Sequence, residues 1–214
     1  MARPPRINVA DAIYHLTSRG VRRWAIYEDD VDYRRFQRLL ATVHSEHGWI
    51  QHAYCLMPNH YHIVVETPTP NLSFGMHRLN WRYAVWFNRR HGYQGHLFER
   101  RFTSHCVESN AHFLEVARYV LLNPVRAGLC AHPGEWPYSN FREPPTARLA
   151  EQFGGDPDLA RERFEAFVCA GVDASPVPVP GTGTRLDQPK PYVPAKRSAR
   201  RRTRSAPGRP TTLR

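Results

Sequence analysis

With 214 residues, 41% of them hydrophobic and 12% aromatic, the chain can build one ordinary domain with a sizeable core and carry an extension. This excludes a wholly disordered chain, and 19 prolines against 13 glycines without a periodic repeat exclude collagen. The formal net charge of +11 points to an acidic partner.

No apolar run approaches the roughly 18 residues of a membrane-spanning helix. The N-terminus, Met1-Ala2-Arg3-Pro4-Pro5-Arg6, lacks the apolar stretch of a secretion signal. The expectation is a soluble, cytoplasmic, bacterial-type chain with no membrane partner. Cys55, Cys106, Cys130 and Cys169 form no C-x-x-C pair, which excludes a zinc ribbon and a thioredoxin-type site and leaves reduced thiols.

Residues 13–19 have strand composition and stop at Gly20. From residue 30 to 47, Phe36, Leu39, Leu40 and Val43 recur at helical spacing behind acids suited to a helix N-terminus, and Gly48 stops the run. Residues 49–56 and 60–66 read as two strands about the Met57-Pro58-Asn59 turn. Asn71 is expected to cap a second helix with one apolar stripe of Leu72, Met76, Leu79, Tyr83, Trp86 and Phe87 and with Arg78, Arg82 and Arg89 along its margin. A further strand is expected within residues 97–108, then a third helix opened by Ser109 or Asn110 and ended by Pro124.

The order β, α, β, β, α, β, α suits an α+β fold, a ferredoxin-like or RRM-like antiparallel-rich sheet covered by helices. This unit is assigned to residues 1–130. Residues 131–172 contain the aromatic turn Trp136-Pro137-Tyr138-Ser139 and an amphipathic helix from 156 to 168 with Leu159, Phe164 and Phe167 apolar; they are expected to pack on the domain as an extension. Residues 173–214 differ in kind. From residue 174 they hold eight prolines and ten Lys and Arg against a single Asp, a net charge of +9 that leaves +2 for everything before it. Such a segment cannot bury enough apolar surface to offset its ordering, so it is read as a disordered basic tail. Its Arg200-Arg201-Arg202 run is suited to a salt-sensitive, sequence-independent grip on phosphates; a merely solubilising tail is the alternative.

The sharpest chemical feature is Asn59-His60-Tyr61-His62-Ile63-Val64-Val65. Strand side chains alternate, so Tyr61, Ile63 and Val65 share one face while His60, His62 and Val64 share the other. Two imidazoles one pleat apart can hold a single divalent ion, although an H-x-H pair alone reads first as a pair of surface or hydrogen-bonded histidines. On the third helix Tyr119 and Asn123 lie four residues apart and point together. Alone they also read as an amphipathic tyrosine and a C-terminal polar residue.

Four blocks, in order, carry a likeness. They are Tyr14-His15-Leu16-Thr17-Ser18-Arg19-Gly20, Ala53 through His62, Gly95-His96-Leu97-Phe98-Glu99-Arg100-Arg101-Phe102, and Arg118-Tyr119-Val120-Leu121-Leu122-Asn123-Pro124-Val125-Arg126 with Ala127-Gly128-Leu129. Together they resemble the single-tyrosine HUH transposases of the IS200-like type, most of all the REP-associated tyrosine transposases. The resemblance runs from about residue 12 to the Trp136 patch and more weakly to about 172, and it implies the HUH endonuclease fold. It also implies that His60, His62 and Asn123 bind magnesium or manganese and that Tyr119 attacks a phosphodiester to give a 5′-phosphotyrosine. The implied partner is single-stranded or hairpin DNA of palindromic repeats, with the protein at the nucleoid.

Candidate DNA contacts are Arg78, Arg82 and Arg89 with Trp81 on the second helix, Arg100 and Arg101, and Arg200, Arg201 and Arg202 in the tail. Taken singly, those on the second helix and the strand read first as solvated or core side chains. A non-catalytic DNA-binding regulator and a metal-dependent phosphoesterase that uses water stay open. So do monomer and homodimer, and with them whether the tyrosine serves its own subunit.

Overall fold

In a computed structural model of the chain, residues 8–172 are described; the basic tail, with Arg200, Arg201 and Arg202, lies outside them. A four-stranded antiparallel sheet runs in the order β2-β3-β1-β4, built from β1 (Ala12–Arg19), β2 (Ile50–Met57), β3 (His60–Thr67) and β4 (Thr103–Cys106). Helices α1 (Asp30–His47) and α2 (Leu72–His91) cover one face. Helices α3 (Asn110–Arg126), α4 (Ala147–Glu151) and α5 (Pro157–Cys169) belong to the other. The element order is the one read from the sequence, α5 being the amphipathic helix expected over 156–168, with the short α4 added.

Alternation on the strands decides this division. Tyr14, Leu16, Tyr54, Leu56, Tyr61, Ile63 and Val65 pack with Phe36, Leu40, Met76, Leu79 and Tyr83 under α1 and α2. Ile13, Ala53, Cys55, Met57 and Val64 pack with Phe113, Val116, Ala117, Val120 and Leu121 of α3. On α5 the buried residues are Ala160, Phe164 and Val168, while Leu159 is exposed, so its apolar stripe is rotated from the one expected.

The segment after α3 closes the open edge of β2. Leu56 N donates to the Tyr138 carbonyl at 2.9 Å, and the Asn140 side chain accepts from Tyr54 N at 2.7 Å while donating to the His52 carbonyl at 3.2 Å. An edge strand otherwise presents unpaired backbone groups.

Three expectations are corrected. The strand within 97–108 shrinks to four residues, because Leu97 and Phe102 turn into the core and the chain between them only touches β1, through Glu99 N to the Arg19 carbonyl at 2.9 Å. Asn71 precedes α2 but makes no side-chain cap. Its Oδ1 accepts from Trp49 Nε1 at 2.5 Å and its Nδ2 donates to the His47 carbonyl at 3.0 Å, tying α2 to the α1–β2 junction. Pro124 does not end α3, which runs to Arg126. Proline removes the N–H that would bond the Val120 carbonyl, and Asn123 Nδ2 approaches that carbonyl at 3.4 Å instead. The helix stops at Gly128, φ 68°, where Gly128 N bonds the Val125 carbonyl and Leu129 N the Pro124 carbonyl, both at 2.9 Å.

Gly75, in the middle of α2, lies against the Trp49 indole. A Cβ there would sit 2.6 Å from Trp49 Cη2, and the ring is held by its bond to Asn71. Helix propensity favours Gly75→Ala by about 1 kcal/mol, but overpacking against an anchored ring costs about 1–3 kcal/mol. The expected result is a net loss, read as a melting midpoint lowered by roughly 2–4 °C; a raised midpoint would show that the indole yields.

Candidate active site

The register of β1 and β3 assembles the polar cluster. Thr17 lies opposite His62 and Arg19 opposite His60. His15, Thr17, Arg19, His60 and His62 therefore share the α3 side of the sheet. His62 is buried, and His60 keeps part of its surface exposed. Their ring centres are 5.0 Å apart with planes at 82°.

The β2–β3 turn fixes His60. Asn59 is buried, its Nδ2 donates to the Arg23 carbonyl at 3.1 Å, and its Oδ1 faces His60 Nδ1 at 2.6 Å. An amide oxygen only accepts, so His60 Nδ1 carries the proton and Nε2 keeps its lone pair. The loop that supplies this carbonyl is strained: Arg22 and Arg23 both take left-handed backbone, φ 54° and 62°, at a cost of order 1–3 kcal/mol each.

Tyr119 reaches the cluster from α3 of the same chain. Its ring meets His62 edge-on at 5.6 Å between centres and His15 at 6.2 Å. The Arg126 guanidinium lies over the Tyr119 ring at 5.8 Å, and Arg19 is also within electrostatic reach of Tyr119.

The family model described as "Transposase IS200 like" matches residues 8–122, more than half of the chain. The chain belongs to the IS200-like transposase family. A Haemophilus influenzae protein named as a REP-associated tyrosine transposase is 26% identical over 119 residues, covering 50% of this chain and 68% of that protein. A solved REP-associated tyrosine transposase bound to a REP hairpin superposes with a TM-score of 0.57 at 19% identity, over 66% of this chain and 84% of that one. The α+β fold expected from the sequence is the fold of that transposase.

In this IS200-like transposase, both histidines of the expected motif and the expected tyrosine come together. Asn123 is buried one turn beyond Tyr119, and its Nδ2 donates to the Tyr119 carbonyl at 2.9 Å. With the nitrogen turned back on its own helix, Oδ1 is the atom left for a cation. Among the described residues no three His, Cys, Asp or Glu side chains are grouped to hold a metal ion. A cation at His60 and His62 therefore needs oxygen donors of another kind. Two imidazole lone pairs with an amide oxygen suit a divalent ion that accepts mixed nitrogen and oxygen ligands.

The arginines singled out in the sequence divide. Arg78 and Arg82 pair with Glu46 of α1 at 3.4 and 3.3 Å. Arg82 and Arg89 also line a cleft with Trp81 and Trp86 on the α1–α2 face, across the sheet from the histidines. Arg100 and Arg101 are exposed in the loop before β4, and Arg100 is within electrostatic reach of Arg19. Sequence reasoning missed His15, Arg19, Asn59 and Arg126 as parts of the cluster. Alternation along Tyr14–Gly20 was the available signal for the first two, since it puts His15 and Arg19 on one face.

Enclosure by protein keeps these histidines neutral. Burial, then the nearby His105 and His112, pushes His15 down to about 3. Burial and the Arg19 charge push His60 to about 3, and burial, then His60, His15 and Arg19, holds His62 well below its ordinary value. Burial also lowers His44 to about 4. Such groups bind fewer protons folded than unfolded once pH falls below about 6.5, so stability falls with pH from there towards 4. For buried His15 and His44 the loss at pH 5 is on the order of 2 kcal/mol each as an upper bound, and His62 adds in the same direction. Melting followed between pH 7.5 and 5 should show the midpoint dropping steadily below pH 6.5; an unchanged midpoint would mean that these rings are protonated in the fold.

No helix among the described residues is long and apolar enough to cross a membrane.

Proposed function

We propose that this transposase cuts and rejoins one DNA strand by attack of the Tyr119 hydroxyl on a phosphodiester. The observation that carries this is the Tyr119 ring set edge-on to His62 at 5.6 Å within one chain. His60 and His62 through Nε2, with Asn123 through Oδ1, would hold magnesium or manganese. When bound, the ion supplies positive charge for the phosphoryl oxygens and the leaving 3′-oxygen.

The protein's own groups do the rest. α3 holds the phenol beside the imidazoles, so the nucleophile is positioned before the substrate arrives. Tyr119 gives up its proton to solvent, its oxygen bonds to phosphorus, and the bond from phosphorus to the 3′-oxygen breaks, the 3′-oxygen taking a proton from solvent to leave as a hydroxyl. The DNA is left joined through a 5′-phosphotyrosine. Arg19 and Arg126, both beside Tyr119, offset charge that gathers on the phosphate during attack. A later 3′-hydroxyl can reverse the step, so no nucleotide hydrolysis is needed.

In-line attack needs an exposed strand, which makes a hairpin with single-stranded flanks the fitting substrate, as in the REP hairpin bound to the similar transposase. The basic tail would add a salt-dependent grip. Removing residues 174–214 should therefore flatten the salt dependence of DNA binding, and an unaltered slope would refute that role.

The test is incubation of the full chain with a labelled hairpin oligonucleotide and Mg2+, resolved under denaturing conditions. A protein-linked strand that disappears with a chelator is expected. Cut DNA without linkage would make the protein a water-using phosphoesterase, and binding without cutting would make it a regulator.

A further inference from the structure

His15 is a buried histidine with no assigned role. It stands on β1, 1% exposed, on the same face as His62 and one pleat away from the residue opposite it. Its Nε2 lies 3.0 Å from His62 Nδ1. The two rings are within 16° of parallel, with centres 5.2 Å apart. With nitrogens at 3.0 Å and ring centres at 5.2 Å, the rings meet edge to edge in nearly one plane, the geometry of a direct imidazole–imidazole hydrogen bond.

One proton lies between these two nitrogens, and its position decides what His62 can do. If His62 Nδ1 donates, His62 Nε2 keeps its lone pair and can bind a cation. If His15 Nε2 donates, the neutral His62 carries its proton on Nε2 and cannot. The rest of the ring gives His15 no other polar tie, since its Nδ1 has no hydrogen-bond partner among the described residues. The neighbouring ligand candidate already shows the same arrangement: Asn59 Oδ1 takes the His60 Nδ1 proton.

We propose that His15 is a positioning residue that accepts the His62 Nδ1 proton and so fixes His62 in the form whose Nε2 binds the divalent cation. With Asn59 behind His60, this gives both imidazoles a buried acceptor at Nδ1 and leaves the lone pair of each on Nε2. Outer partners of this kind orient a metal-binding histidine and raise its basicity; losing one typically weakens metal binding about 10–100-fold. The proposal rests on the metal site inferred above, and its test separates the two.

The measurement is long-range ¹H–¹⁵N correlation of the imidazoles in the metal-free full-length protein at pH 7.5, with Mn2+ affinity measured alongside by titration. Wild-type His62 should carry its proton on Nδ1. His15→Leu, which cannot accept, should let that proton move to Nε2 and weaken Mn2+ binding about 10–100-fold. His15→Gln, whose amide oxygen accepts, should keep the Nδ1 proton and bind Mn2+ within about threefold of wild type. A wild-type His62 protonated on Nε2 would overturn the proposal even if neither variant folded. So would a His15→Leu protein with an unaltered His62 proton, or a His15→Gln protein as defective as the leucine variant. Failure of wild type to bind Mn2+, with the His62 proton on Nδ1 as expected, would sink the metal site and leave the tautomer assignment standing.

Discussion

Tyr119→Phe is expected to abolish strand cleavage and the protein-linked product while leaving hairpin binding within about twofold of wild type. Removing a nucleophile costs about 10⁴-fold or more in rate. Phenylalanine keeps the ring that packs beside His62 and under Arg126, so the fold should be retained, at a cost of no more than the roughly 1 kcal/mol of one hydroxyl's interactions. Cleavage rate, adduct yield and melting midpoint, measured together on one preparation, test this. If the variant cut at a rate near wild type, water or another side chain would be the nucleophile and the phenol only a packing group.

His60→Ala and His62→Ala are expected to agree in activity and differ in stability. Either change removes one imidazole donor, and cleavage should fall more than about 100-fold without recovery at raised Mg2+ or Mn2+. His60 is partly exposed, so its loss leaves little cavity and costs mainly the unpaired Asn59 Oδ1, on the order of 1 kcal/mol. His62 is 5% exposed and bonded to buried His15. Its removal leaves a cavity and an unpaired nitrogen, costing on the order of 2–4 kcal/mol. Denaturant midpoints for both variants decide the matter. Equal destabilisation would mean that His15 and His62 are not the bonded pair seen here, and retained cleavage in either variant would remove the cation from the mechanism.

Local pattern carried much of this fold. The period-two alternation from His60 to Val65 puts the histidines with Val64 on one face and Tyr61, Ile63 and Val65 on the other, which is how β3 is built. The acids and glycine around α1 marked its ends because they work locally: Asp29 accepts from Val31 N and Asp32 N, and Gly48 takes φ 67°. What local pattern could not carry was any feature decided by a distant partner. Asn71 looked like a cap, but the Trp49 indole, far off in sequence, took its oxygen. Pro124 looked like a stop, but the side chain before it approached the carbonyl that proline left unpaired. The 97–108 segment had strand composition, yet core positions for Leu97 and Phe102 bent it away from the ladder.

The site divides in the same manner. His60, His62, Tyr119 and Asn123 were visible as spacings within single elements. Their company was not. His15 and Arg19 join the cluster only through the antiparallel register of β1 on β3, and Arg126 only because α3 continues past its proline. A lone histidine in a strand gives no sign of the ring it will meet 47 positions later.

The central claim is that the Tyr119 oxygen becomes bonded to DNA. Trapping the protein-linked strand, digesting the protein and locating the nucleotide-bearing residue by mass spectrometry tests this most directly. A 5′-nucleotide carried on Tyr119 is the expected result. Attachment to any other side chain, or cleaved DNA with no attached residue, would contradict it.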